Sequence, residues 1–274
     1  MKDQKKQVFN ILNILVIMGS PHKGTTYRAC EELRHCIEQE IPVEFEYLWL
    51  MDVNLLSCKG CGLCFTRGEK SCPNLDESHL IEQKMQQADA IIFASPVYAL
   101  NVTGQMKVFI DRFSYNFHRP QFFDKKAFIL TTTAILGHKD VLKYLEMVAG
   151  LWGFDIAGKM GLVTPDPLPD YRKDENQKVI KKSAKKFISA FRQERRKSPS
   201  LKDVIIFHGQ RGSFRQLKDI SPFDYHYWKD NGWFEDGINY FIDIPVNPLY
   251  HAIGMIVEWF SARQVQKDLR ENLG

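Results

Sequence analysis

The chain is poor in most features that would place it in a special class. Its 274 residues hold 12 prolines and 17 glycines without a repeating period, which excludes collagen-like and low-complexity chains. With 44% hydrophobic and 26% charged residues it is not a disordered chain, and six cysteines in this length do not make a small disulfide scaffold. A net charge of only +4 is too mild to argue for nucleic acid. No apolar run reaches the roughly 20 residues of a membrane span. The nearest, Phe241 to Phe260, is broken by Asp243, Pro245, Asn247, Pro248, His251 and Glu258. Lys2, Lys5 and Lys6 ahead of Ile11–Ile17 mimic a signal peptide, but the run is brief and no small-x-small cleavage pattern follows. The expectation is a cytoplasmic globular core with an appendage.

What is present follows an α/β rhythm. Continuous apolar runs at 13–18, 90–94 and 127–132 read as strands buried on both faces. Residues 43–50 alternate, with Val43, Phe45, Tyr47 and Trp49 on one side, and 154–163 holds a last strand. Helical spacing at 27–40, 77–87, 103–113 and 139–151 separates them. The reading is α/β: a doubly wound five-stranded parallel sheet of flavodoxin type, order 2-1-3-4-5.

The proline-rich segment 164–169 breaks the rhythm, so the expected division is 1–168 and a helical, aromatic-rich C-terminal extension, 169–274. The extension should pack on the main domain or on a neighbouring subunit. A helix is expected at 171–196, with Val179, Ile180, Ala184, Phe187, Ile188 and Phe191 as its stripe, and another at 248–271, with Leu249, Ile253, Ile256 and Phe260. Tyr171 to Lys197 carries eleven Lys/Arg against three Asp/Glu, which reads as a solvated helix face. An anionic cofactor, partner or membrane surface is the alternative. Trp228, Trp233, Tyr240 and Trp259 are assigned to dimer packing, since aromatics anchor interfaces.

In a doubly wound sheet, ligands sit at the carboxyl ends of the strands. The first strand ends in Gly19-Ser20-Pro21-His22-Lys23-Gly24-Thr25-Thr26, and a helix opens after it. Small residues let backbone approach an anion, hydroxyls donate, and the helix dipole favours a phosphate. The loop is neither G-x-G-x-x-G nor a P-loop, which argues against an NTPase. Ser95-Pro96-Val97-Tyr98 closes the third strand, followed by Asn101, and Thr131-Thr132-Thr133 closes the fourth, with Gly137 nearby. Three polar loops at one sheet edge point to one site, where a flat aromatic ligand lies on Pro96-Val97-Tyr98 with its phosphate in the first loop.

Four of the six cysteines fall within fifteen residues, as Cys58-x2-Cys61-x2-Cys64-x7-Cys72. Thiolates this close can converge on one metal centre. The spacing fits an iron–sulfur cluster, with tetrahedral zinc and an empty or redox-active thiol group as competitors. Cys30 and Cys36 read as ordinary thiols on the first helix.

Gly19-Ser20-Pro21 through Thr26, Ser95-Pro96-Val97-Tyr98, and Gln105-Met106-Lys107 through Asp111-Arg112 resemble the NADPH-dependent FMN reductase family. With the cysteine run, the resemblance is to the iron–sulfur flavoproteins within it, over roughly residues 10 to 165. It implies FMN, a [4Fe–4S] cluster within electron-transfer reach of it, and a homodimer or homotetramer with flavin near a subunit interface. By position it implies that Ser20, His22, Thr25 and Thr26 hold the phosphate, with Lys23 in the same loop. It further implies that Pro96, Val97, Tyr98 and Asn101 line the ring, and that Cys58, Cys61, Cys64 and Cys72 ligate the cluster. His22 stands where the family commonly has Arg, so phosphate affinity is expected to be weaker or pH-dependent.

The resulting reading is an NAD(P)H-dependent FMN oxidoreductase. Its partners are small-molecule or protein electron donors and acceptors, without nucleic acid. Backbone N–H groups near Val97 and Tyr98 are expected to stabilise negative charge on the reduced ring. The competing readings are a non-catalytic electron carrier and a flavoprotein whose cysteine loop is a zinc staple.

Overall fold

Strands that are apolar at every position are stable only with both faces covered, and the three such runs here become the central strands. The computed structural model describes residues 11–193 and 196–273. The elements are β1 (Leu12–Met18), α1 (Thr25–Glu38), β2 (Val43–Trp49), α2 (Leu63–Thr66), α3 (Ser78–Gln87), β3 (Ala90–Pro96) and α4 (Gly104–Arg112). There follow β4 (Lys126–Thr133), α5 (His138–Leu151), β5 (Asp155–Val163), α6 (Asp170–Arg192), α7 (Leu201–Gln216), α8 (Pro222–Asp230) and α9 (Pro248–Leu273). The strands pair in parallel in the order β2-β1-β3-β4-β5, the expected flavodoxin-like sheet. β1, β3 and β4 are buried along nearly their whole length, and β2 alternates at the edge.

The chain forms two compact units. The first holds 11–58, 76–114 and 120–193, and the second holds 59–75, 115–119 and the residues from 196 onward. The expected boundary at 168/169 falls before α6, yet α6 belongs with the sheet. Ile180, Ala184, Phe187 and Ile188 recur at helical spacing and join Ala29, Leu33, Ile37, Phe128 and Leu130 in one buried cluster. Val179 turns outward, and Lys178, Lys181, Lys182, Lys185 and Lys186 are all exposed, so along α6 the basic run is a solvated helix face, while residues 194 and 195 of the run lie outside the described residues. The other side of the sheet is aromatic: Phe93 packs edge-on against Trp152 and Phe154.

In the second unit Phe207 and Phe214 of α7, Trp228 of α8 and Trp233 and Phe241 after it form one aromatic cluster. Trp228 and Trp233 are buried in this cluster, so these two serve the unit's own core and not a dimer face. Trp259 stays half-exposed, with the Arg263 guanidinium 3.9 Å from its ring centre. α9 also turns a different face inward from the one its apolar spacing suggests. A Cβ on Gly212 would overlap the Glu258 carbonyl, so α7 and α9 cross closely there, leaving Leu249, Ile256 and Phe260 facing solvent. Glu258 accepts from His208 Nδ1 at 2.7 Å and from Arg215 at 3.1 Å. Burial pushes the Glu258 carboxyl up, but His208, Arg211 and Arg215 hold it below the usual carboxylate range.

If α6 is part of the sheet unit, Phe187→Ala should cost about 3–5 kcal/mol, the range for emptying a buried aromatic site. Urea unfolding followed at the Trp152 side of the sheet checks this. An unchanged midpoint would detach α6 from that core.

Candidate functional site

The carboxyl edge of the sheet gathers the three expected loops within the first unit. Gly19 ends β1 where its own amide donates to the Ala94 carbonyl at 2.8 Å. A Cβ at Gly19 would sit 3.0 Å from Thr103 Oγ1 and 3.1 Å from Met106 Cβ, so the close approach of α4 requires a glycine. Thr103 caps α4 and donates its hydroxyl to the Gly19 carbonyl at 2.8 Å, tying the loop after β3 to the loop after β1. Thr26 Oγ1 and Thr132 Oγ1 lie 2.7 Å apart, tying α1 to the end of β4.

The first turn of α1 has neither a side-chain cap nor an acid. Its backbone donors and dipole are therefore unopposed, the condition for holding an anion. Ser20 is buried and donates to the His22 carbonyl, while His22 and Lys23 are exposed and Thr25 is half-buried. Thr131 is fully buried at the end of β4, and its hydroxyl has no hydrogen-bond partner among the described residues. A cleft of about 370 Å³ opens beside Thr25, lined by Arg28, Leu162, Asp166, Lys173 and Asn176 among others. In charge and hydroxyl content the edge fits the phosphate-bearing group expected there.

Pro96, Val97, Tyr98 and Asn101 stand on one tight hairpin. The Val97 amide donates to the Thr132 carbonyl at 2.8 Å and the Tyr98 amide to the Asn101 carbonyl at 2.8 Å. The amides of Val97 and Tyr98 themselves are thus engaged within the protein. Gly137 lies at the start of α5, next in sequence to the exposed Ile135 and Leu136.

The cysteine loop leaves the sheet unit through a closed neck. The Asn54 amide donates to Glu77 Oε2 at 2.7 Å, the Glu77 amide donates to the Asn54 carbonyl at 2.9 Å, and the Leu56 amide donates to Asp76 Oδ2 at 3.0 Å. Asp76 also takes a forked pair from Arg112, at 3.1 and 2.9 Å, and both side chains are buried. Burial would raise the Asp76 carboxyl, but the Arg112 guanidinium, the Ser78 hydroxyl and two backbone amides hold it below its usual value. Sequence reasoning placed Arg112 in a motif but gave it no partner.

Beyond the neck, Cys61, Cys64 and Cys72 fall in the second unit and Cys58 closes the first. Cys58 and Cys61 are exposed, Cys64 and Cys72 half-buried, and none is in a disulfide. The donor set suits a thiolate-loving metal in kind. Among the described residues, however, no three His, Cys, Asp or Glu side chains stand close enough to hold a metal ion. The loop is braced instead by residues the sequence did not single out. Arg119 donates to the Cys64 carbonyl at 3.0 Å and pairs with Glu69 and Asp224. No sequence signal marks Arg119, because its partners lie 50 and 105 positions away.

The model of the NADPH-dependent FMN reductase family matches residues 12–159, more than half of the chain. The chain belongs to that family. It is a flavin-dependent oxidoreductase, and FMN is the cofactor the family implies. The chain is 30% identical over 219 residues to an iron-sulfur flavoprotein of Archaeoglobus fulgidus, covering 79% of this chain and 97% of the relative. It is likewise 30% identical over 217 residues to one of Clostridioides difficile, covering 77% and 93%. In fold it is similar to an azoreductase from Bacillus anthracis, with TM-score 0.51 at 15% identity over 64% of this chain and 98% of that one. The NAD(P)H:quinone oxidoreductase of Methanothermobacter marburgensis gives 0.51 at 13% identity over 70% and 100%. No helix among the described residues of this FMN reductase-family chain is long and apolar enough to cross a membrane.

The neck predicts an acid dependence. A carboxyl held below its unfolded value contributes stability above that value and loses it as pH falls through the folded one. Asp76→Asn should cost about 3–5 kcal/mol at neutral pH, because it leaves Arg112 buried without its counter-charge. It should also flatten the loss of stability below about pH 4, where an ordinary aspartate protonates. Urea melts from pH 7 to 2.5 on both proteins check the sign, and parallel profiles would sink it.

Proposed function

We propose that this chain is an FMN-dependent NAD(P)H oxidoreductase acting on a flavin or another small acceptor, with a [4Fe–4S] cluster in the cysteine loop. The observation that carries the flavin part is the joining of three strand-end loops around an uncapped helix start, with hydroxyls tying the loops together. The cluster part is supported by the spacing Cys58-x2-Cys61-x2-Cys64-x7-Cys72 and by relatives called iron-sulfur flavoproteins at 30% identity over most of their length.

Ser20, His22, Lys23, Thr25 and Thr26 hold the phosphate in this reading. The first turn of α1 supplies backbone donors and dipole, and Lys23 and His22 supply charge from the rim. Pro96, Val97, Tyr98 and Asn101 orient the ring, and Thr131, Thr132 and Gly137 complete the cofactor-binding set. FMN, when bound, supplies hydride transfer, which is the cofactor's own chemistry. The protein's part is to fix the ring and to keep the edge loops from moving, since a misplacement of about 1 Å can cost about 100-fold in rate. Cys58, Cys61, Cys64 and Cys72 are the thiols that would hold the cluster, which passes electrons singly. Donor and acceptor are small molecules or proteins, and a homo-oligomer is the assembly in keeping with the family.

Anaerobically purified protein tests both parts at once. Flavin bands together with iron–sulfur absorption, and iron and sulfide at a full cluster complement, are expected. Cys61→Ser should then remove iron and sulfide and leave the flavin. Zinc without iron would replace the cluster by a structural thiolate site, and a colourless protein that refuses added FMN would overturn the flavin reading.

A further inference from the structure

We infer that the C-terminal region is the housing of the cysteine loop, and that Arg119 is the positioning residue that fixes the loop in it. The second unit brings the loop, 59–75, together with the chain from 196 onward, and its one other part is the brace Tyr115–Arg119. None of the residues assigned above to the flavin falls in this unit.

The brace works through one buried guanidinium. Arg119 is 2% exposed and Asp224 fully buried. Arg119 Nη1 donates to the Cys64 carbonyl at 3.0 Å and to Asp224 Oδ1, and Nη2 donates to Glu69 Oε2 at 2.8 Å. The ring of Tyr115 lies 5.2 Å from the guanidinium carbon and that of Phe223 lies 4.8 Å away. One side chain therefore joins Cys64 in α2, Glu69 farther along the loop, and Asp224 in α8. His118 makes a second tie. Its ring stacks on Phe65 at 4.3 Å, its Nδ1 is 2.7 Å from Asp224 Oδ2, and its carbonyl accepts from Trp228 Nε1 at 2.7 Å. Both oxygens of Asp224 are thus spent on the brace.

A buried cation is a costly way to stick a loop down, since an apolar plug of equal volume often does as well or better. What arginine adds is geometry. Its planar fork fixes several donor directions at once, which lysine's point charge does not. It takes hold of the backbone at Cys64 itself. The purpose rests on the iron–sulfur reading above: four thiols that must converge lose less entropy if one of their backbone positions is already held.

The full-length chain tests this in Arg119→Gln, Arg119→Lys and Glu69→Gln. The first readout needs no metal: the rate at which iodoacetamide alkylates Cys64, relative to Cys61 of the same molecule. R119Q should raise that ratio severalfold, and R119K, which keeps the charge without the fork, should fall between it and the parent. The second readout follows anaerobic loading with iron and sulfide. R119Q should surrender iron to a chelator about tenfold faster, as when an outer-shell partner of a metal site is lost, with the flavin spectrum unchanged. Equal alkylation ratios in parent and R119Q overturn the inference. If R119Q does not fold, E69Q decides, because Glu69 is part-exposed and its loss removes only the loop-side partner. A raised ratio in E69Q supports the brace and an unchanged one overturns it. A parent that takes up no iron counts against the cluster alone, because the alkylation ratio still reads the brace.

Discussion

A buried carboxylate decides where the parallel sheet ends and the cysteine insert begins. Asp76 accepts from Leu56 on the outgoing strand of the neck, from Ser78 at the start of α3, and from the fork of Arg112 at the end of α4. Those contacts let the chain leave β2, travel through the insert and return to α3 without disturbing the register of β1 against β2 and β3. An insert free at its neck would tug on the edge strand of a sheet whose carboxyl ends have to stay level. With the neck closed, the first unit keeps the architecture of its family.

The same device recurs at Arg119, and its repetition says something about cost. Buried ion pairs are weak evidence for stability, since desolvation cancels much of the attraction. Their strength lies in refusing alternatives: a guanidinium with its donors matched to fixed carboxylates and a carbonyl has no second arrangement of similar energy. The insert is otherwise ill-suited to hold one shape. Gly60, Gly62 and Gly68 all sit at positive φ, α2 is a single turn, and Leu75 is almost wholly exposed. Local propensity cannot order such a segment, so the order comes from distant contacts: Arg112 on the neck, and Arg119 and His118 on the insert itself.

That difference in range explains what could be read in advance. The parallel sheet was legible because Ile14–Met18, Ala90–Ala94 and Ala127–Leu130 carry their burial in consecutive residues. The strand-end loops were legible because serine, threonine and glycine accumulate right after those runs. The Thr26–Thr132 tie joins two of those expected residues, although 106 positions separate them. The arginine braces were not legible, since nothing local distinguishes Arg119 from a surface arginine. The inward face of α9 was misread for a related reason. Its apolar spacing favoured Leu249, Ile253, Ile256 and Phe260, of which only Ile253 is even half-buried, because a close glycine crossing and the buried pair of His208 and Glu258 set its orientation. α7 opens with a full Ser200–Asp203 capping box, a signal that the sequence does contain.

The loop after β3 shows the limit of reading function from a motif. Ser95-Pro96-Val97-Tyr98 suggests backbone donors waiting for a ring, yet the Val97 amide is spent on the Thr132 carbonyl of β4 and the Tyr98 amide on the Asn101 carbonyl. Ala99 and Leu100 occupy the left-handed region, at φ of 47° and 65°. Neither is the glycine or asparagine that usually takes such a turn, and each bears a cost of about 1–2 kcal/mol. The turn persists because Tyr98 and Asn101 exchange two backbone hydrogen bonds and Asn101 Oδ1 caps the Val102 amide at 2.8 Å. Thr103 then anchors the far end to Gly19. A turn strained at two residues and closed by both backbone hydrogen bonds between Tyr98 and Asn101 has little freedom to adjust to a ligand. In the proposed flavin site its contribution is position, and donors for a reduced ring have to come from amides other than those of Val97 and Tyr98.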